Sequence, residues 1–147
     1  MADRLYIDKR INETLIPKID ETHFLGLNVP DSDRLELFLF AMALGVKQGV
    51  RTPLGAKHGF ILEPSIKSVD GAMSYLFSLL VDELKKINEE DKIDDKDYAF
   101  KVAEEYANTG FRIIDELMNK EMDEESQKYG LLEELDEEFE SIRRDCV

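Results

Sequence analysis

Residues 34–46 read R-L-E-L-F-L-F-A-M-A-L-G-V, and after Glu36 a helix of this sequence carries apolar side chains on every face. A helix at a protein surface shows a single apolar stripe, so one that is apolar all round has to be enclosed by other elements. Whatever fold this chain adopts must be built around that segment. Asp31, Ser32 and Asp33 supply N-cap oxygens and negative charge at its start. At the other end Lys47 complements the helix dipole, and Gly49 suits the left-handed stop conformation, with Val50 as the hydrophobic residue beyond it. The apolar run is about ten residues, roughly half of what a bilayer crossing needs. The pattern predicts a core helix over 31–48 and no membrane span.

The flanking segments predict the elements that enclose it. Leu5-Tyr6-Ile7 suits a short strand or an extended arm, and Asp8 can cap a short helix in which Ile11, Leu15 and Ile19 recur every four residues. Pro17 interrupts that pattern and predicts a kink, or a stop near Leu15. Residues 24–30 read as a loop, so 1–30 form an N-terminal arm with a short helix. In 49–64, Pro53, Gly55 and Gly59 are too many breakers for a helix. Phe60-Ile61-Leu62 has strand character and can pair with Val50-Arg51-Thr52 as a small hairpin. Ser65 or Ser68 then begins a helix with the stripe Met73, Leu76, Phe77, Leu80, Val81, Leu84 and Ile87. After a charged turn over 89–97, Asp95 or Asp97 caps a long helix. Its stripe includes Ala99, Ala103, Ala107 and Gly110, small residues that let a neighbouring helix approach closely. A last helix from about Asp123 carries Leu131, Leu132, Leu135, Phe139 and Ile142, with Gly130 as a kink or a true start. The expected fold is mainly α: a single domain over 1–147, of four to five helices around the buried central one, with one small β-hairpin near 50–62.

Charge divides this chain more sharply than length does. The net charge is −14, and all of it falls in residues 70–147, within the acidic helical half, 65–147: up to residue 69 acids and bases balance. Between Gly45 and Lys67 the balance reverses, because Lys47, Arg51, Lys57 and Lys67 face only Glu63. So acidic a chain does not attract nucleic acid through its overall field, and any anion it holds must meet that local basic segment. Lys47, Arg51, Thr52, Lys57 and His58, with Gly49, Gly55 and Gly59 among them, form the candidate site for an anion or an acidic partner. Glycines let backbone amides approach an anion, and Arg matches its oxygens with two prongs. R-T-P-L-G-A-K-H-G is not a phosphate-binding Walker loop, which ends in Gly-Lys-Ser/Thr at a helix start. The bland alternative is that Lys47 and Arg51 cap helix carbonyls and pair with the acidic half.

Other constellations carry less. Asp91, Asp94, Asp95 and Asp97, and likewise Asp123, Glu125 and Gln127, do not match the calcium-loop pattern; the second has Lys128 where its turn glycine belongs. Both suit solvated turns, so no metal and no cofactor is expected. A lone Cys146 and two histidines exclude a zinc finger or iron–sulfur site built from this chain alone. His23 and His58 neighbour no nucleophile, and Ser74 and Ser78 sit on a helix dominated by core residues. The chain reads as a non-enzyme. One cysteine and no signal-like N-terminal pattern lead to an expectation of a cytoplasmic location.

From Phe38 to Leu54, F-L-F-A-M-A-L-G-V-K-Q-G-V-R-T-P-L resembles small proteins encoded beside bacterial DNA phosphorothioation (Dnd) defence genes. Those share an aromatic- and alanine-rich helix, a Gly-Tyr/Val/Phe-Lys-x-Gly turn, then a basic residue and proline. The match lies in Gly45-x-Lys47-x-Gly49 followed by Arg51-x-Pro53. The resemblance implies an accessory role in a prokaryotic DNA-defence or mobile-element setting and supplies no catalytic residue. Three functional expectations stand side by side. The first is a non-enzymatic interaction protein with a protein partner, able to pair with a second copy through the C-terminal helix. The second is a direct nucleic-acid or nucleotide binder through the 47–58 loop. The third is an acidic DNA mimic of phage type, using Glu133, Glu134, Glu137 and Glu138.

Overall fold

The computed structural model describes residues 3–22 and 34–123. Strand β1 (Arg4–Asp8) leads into α1 (Lys9–Thr22); α2 (Arg34–Gln48) is followed by β2 (Lys57–Leu62), α3 (Glu63–Lys67) and α4 (Ala72–Lys86). A 3₁₀ turn (Glu90–Asp94) then precedes the long α5 (Lys96–Asp123). The fold is mainly α, with five helices and one two-stranded antiparallel sheet among the described residues. The Asp31–Asp33 cap, His23, the 24–30 loop, the final helix with Glu133–Glu140, and Cys146 lie outside the described residues.

The central helix is enclosed as its composition requires. Nine of its fifteen residues, from Leu35 to Gly45, are buried, with Leu37, Phe38, Phe40, Ala41 and Met42 at 0% exposure. Each large apolar side chain removed from water contributes about 1.5–3 kcal/mol, against about 1 kcal/mol for a good cap, so burial decides where this helix sits. Its main partner is α5. The two backbones approach so closely that a Cβ on Gly45 would lie 1.9 Å from Tyr106 O, and one on Gly110 would lie 1.7 Å from Ala41 O. The small residues along α5 thus do what their spacing suggests. Phe111 then ties α5 to two neighbours, meeting Phe38 of α2 and Phe60 of β2 edge-on at 6.5 and 6.3 Å. The helix stops at Gly49, whose φ of +70° lets its N–H return to Gly45 O and Val46 O.

The sheet forms with a different partner strand from the one the local pattern suggests. Phe60-Ile61-Leu62 does lie in a strand, but β2 pairs with β1, Leu5 opposite Ile61 and Tyr6 opposite Gly59, with a bulge between those pairs. Val50-Arg51-Thr52 instead crosses the side of α5, where Thr52 N–H donates to Glu105 O at 3.1 Å. Leu5 and Ile7, at 0% and 2% exposure, fill the inner face of β1 and give it more to bury than the mostly polar Val50–Thr52 segment offers.

Helix α1 does not stop near Leu15: it runs through Pro17 to Thr22. Ile11, Leu15 and Ile19 are all buried on one face, while Pro17 is exposed, so the carbonyl it leaves unbonded faces water. Lys18 also fastens the later turns, donating to Asp115 at 3.1 Å and Asn119 at 3.0 Å. Asp8 is the N-cap, accepting Arg10 N–H at 2.9 Å. Further on, Pro64 opens the short α3, and Gly71 at φ +79° separates it from α4, which therefore begins at Ala72 rather than at Ser65 or Ser68. Asp95, not Asp97, caps α5 by accepting Tyr98 N–H at 3.2 Å. One apolar cluster links β1, β2 and all five helices of the described residues.

Candidate functional site

The loop between α2 and β2 cannot form a helix, yet it lies against α5, so its backbone polar groups need partners. Three residues on adjacent turns of α5 provide them. Thr109 Oγ1 donates to Val50 O at 2.9 Å, and Asn108 Nδ2 donates to Thr52 O at 3.1 Å and Pro53 O at 3.3 Å. Thr52 Oγ1 and Thr109 Oγ1 share a hydrogen bond at 2.7 Å. Glu105 takes the loop's cation: Arg51 Nε and Nη2 both donate to its Oε1, at 3.0 and 2.7 Å. The guanidinium also lies over the Tyr98 ring, 5.9 Å from its centre. Burial works against the charge on Arg51, but the bonds to Glu105 and Tyr98 outweigh it and raise its pKa.

The N-terminal strand holds the other end of the loop. Asp8, 8% exposed, accepts Gly55 N–H at 2.9 Å besides capping α1, and Lys9 N–H donates to Ala56 O at 2.8 Å. One carboxylate therefore closes a helix and anchors a loop 47 residues away. Asp8→Ala is expected to destabilise the chain by about 1–2 kcal/mol, the range for losing a good cap. Amide exchange should accelerate at Gly55 as well as at Arg10; unchanged protection at Gly55 would contradict the anchor.

The five sequence-derived site residues are thus held by different elements. Arg51 and Thr52 are docked on Glu105 and Thr109. Lys57 belongs to β2, its Nζ 5.8 Å from the centre of the Tyr6 ring. His58 is exposed opposite Ile7 in the ladder, and Lys47 is exposed in the last turn of α2. The loop's arginine and its Gly55 amide do hold carboxylates, but these are Glu105 and Asp8 of the same chain.

Glu104, Glu105, Asn108 and Thr109 are the residues that sequence reasoning missed. All four are buried, yet polar residues at three- and four-residue spacing on a helix read as a solvated face. Glu104, 5% exposed, accepts Tyr6 N–H at 2.8 Å and so covers the outer edge of β1. Burial pushes its pKa up from 4.5 to about 7, against the opposing pull of the Tyr6 N–H and of Lys57; neighbouring Glu105 adds to the rise. A raised carboxyl contributes stability that is fully present below its usual range. That contribution is lost as pH climbs through the folded value. The stability of the wild type relative to Glu104→Gln should therefore fall between about pH 4.5 and about pH 7 and level off on either side. Parallel pH curves for the two proteins would refute this.

Elsewhere the acids are held singly. Glu63 binds Lys67 and Lys96, both at 2.8 Å, and these bonds keep its carboxyl below the usual range. The Tyr98 hydroxyl donates to Glu89, which also pairs with Lys92 at 3.0 Å. Among the described residues no three His, Cys, Asp or Glu side chains are grouped as metal ligands, and no helix is long and apolar enough to cross a membrane.

No protein-family model, curated protein or solved structure matches this chain. Its function has to be argued from the geometry just described.

Proposed function

We propose that this chain is a non-catalytic helical interaction protein, accessory to a prokaryotic DNA-processing or defence assembly in the cytoplasm. The observation that carries this reading is the bond between Arg51 and Glu105, made by two nitrogens of the guanidinium to a carboxylate oxygen whose side chain is 10% exposed. The residue best suited to grip a phosphate is occupied within the fold, and so is the Gly55 amide. A buried polar layer of this kind positions a loop; it does not wait for a ligand. The chain's net charge of −14 also disfavours a polyanion and suits contact with a protein. The setting in DNA defence rests on the resemblance over Phe38 to Leu54.

Affinity capture of the tagged chain from a host that carries it, with chemical cross-linking and mass spectrometry, tests the reading. A specific protein partner cross-linked to the described residues is the expected result. Recovery of no protein, from a chain that sediments as an inert monomer, would overturn it.

A further inference from the structure

Glu104 is a buried carboxyl with no cation within ion-pair distance among the described residues. It reaches the outer edge of β1 from α5 and accepts Tyr6 N–H at 2.8 Å. A carboxylate withdrawn from water needs a cation close by, or it takes up a proton instead. The charged groups on the surrounding elements are Arg4 and Asp8 of β1, Lys57 of β2, Arg51 of the loop, and Lys101 and Glu105 of α5. Most are committed elsewhere. Arg51 and Glu105 bind each other, Asp8 holds the Arg10 and Gly55 amides, and Arg4 meets Asp3 at 3.3 Å. Lys101 is exposed, and His58 projects to the opposite side of β2 from its neighbour Lys57. Two of these groups act on Glu104 through space, Glu105 by repulsion and Lys57 by attraction.

Lys57 also lacks a carboxylate within ion-pair distance among the described residues. Its side chain is long and exposed, and its Nζ lies over the Tyr6 ring, 5.8 Å from the centre. Tyr6 therefore joins the two: its amide holds Glu104 and its ring carries Lys57. A ring at an exposed site holds a cation weakly. A buried carboxylate draws one more strongly, because little water screens it.

We propose that Glu104 and Lys57 form a proton-operated switch beside β1. With Glu104 protonated, Lys57 rests on the Tyr6 ring; when Glu104 ionises, Lys57 leaves the ring and pairs with the carboxylate. One proton passes from Glu104 to solvent, and the ammonium replaces it as the neutralising charge. The strand stays seated in both states, because Tyr6 N–H keeps its acceptor. What changes is the surface: a cation covers the Tyr6 ring on the acid side of the transition and leaves it bare on the alkaline side. The switch rests on the fold alone, so it stands whether or not a partner protein is captured.

NMR of the full chain, isotope-labelled at Glu and Tyr side chains and titrated from about pH 5 to about pH 9, follows both ends of the switch. The Glu104 carboxyl and the Tyr6 ring signals are expected to move together, with one midpoint at about 7. Lys57→Met should raise the Glu104 midpoint by roughly half a pH unit or more, because the ionised form loses its counter-ion. It should also abolish the movement of the Tyr6 ring signals, and Lys57→Arg should restore both effects. Glu104→Gln should leave the Tyr6 ring signals flat across the range, and His58→Gln should leave the Glu104 midpoint where it is. Lys57 is exposed, so Lys57→Met should melt with the wild type on the acid side and a few degrees below it only above neutral pH. A Glu104 midpoint in the ordinary carboxylate range would overturn the proposal. So would an unchanged midpoint in Lys57→Met, or Tyr6 ring signals that do not follow Glu104.

Discussion

Gly110→Ala is expected to destabilise the protein by about 3 kcal/mol, the upper range for forcing atoms into a filled interior. The added methyl would lie 1.7 Å from Ala41 O and 2.4 Å from Ala41 C, and both are backbone atoms that cannot swing aside. The sign is the informative part. In the middle of an exposed helix the same exchange stabilises by about 1 kcal/mol, because Ala loses less conformational freedom than Gly. Gly45→Ala should behave alike, its methyl meeting Tyr106 O at 1.9 Å. The double variant should lose less than the sum of the two, since separating α2 from α5 once relieves both clashes. Gly49→Ala provides the contrast. It has open space around it but a φ of +70°, so about 1 kcal/mol should be lost from backbone strain alone. Urea melts of the four variants measure all of this. A neutral or stabilising Gly110→Ala would mean that α2 and α5 do not cross as closely as described.

The second large effect concerns Arg51 and Glu105. Breaking a fully buried ion pair costs about 3–5 kcal/mol, chiefly by leaving one charge without its partner. Here the arginine side chain is 28% exposed and the glutamate side chain 10%, so the loss is smaller and unequal. Arg51→Ala strands the more buried partner and removes the contact with Tyr98, for about 3 kcal/mol; Glu105→Ala strands the more exposed one, for about 2 kcal/mol. The double variant should be less destabilised than the two losses combined, with a coupling of about 1–2 kcal/mol. Hydrogen exchange should rise at Thr52, whose amide is bonded to Glu105 O, as the loop lifts from α5. Additive losses with no coupling would show that the pair is incidental.

These two effects also mark where the sequence was legible. The all-round apolar helix, its stop at Gly49 and the small-residue approach of α5 follow from periodicity and glycine stereochemistry within one segment, and the structure has them. The pairing of β1 with β2 joins residues 49 to 58 apart, and nothing local to Phe60-Ile61-Leu62 distinguishes Leu5-Tyr6-Ile7 from the nearer Val50-Arg51-Thr52. Pro17 was legible as a disturbance only. Its tolerance depends on the exposed side of α1 facing water, which is a property of the packed molecule. The basic loop stood out by charge, but the residues that give it meaning did not. Glu104, Glu105, Asn108 and Thr109 carry the pattern of a solvated helix face, and only β1 and the loop laid over them make that face buried. Arg51 holds a carboxylate of its own chain, the pairing with the acidic half that stood as the alternative to a bound ligand.

The central claim is that Arg51, the cation that fastens the 47–58 loop to α5, serves the fold rather than a polyanion. Anisotropy titration of labelled single- and double-stranded DNA with the full chain at low salt tests it most directly. The expected result is no saturable binding by the wild type, by Arg51→Ala or by Lys57→Ala. Saturable binding whose affinity and salt slope both fall in the Arg51→Ala, Lys57→Ala double variant would contradict it and assign the loop to nucleic acid.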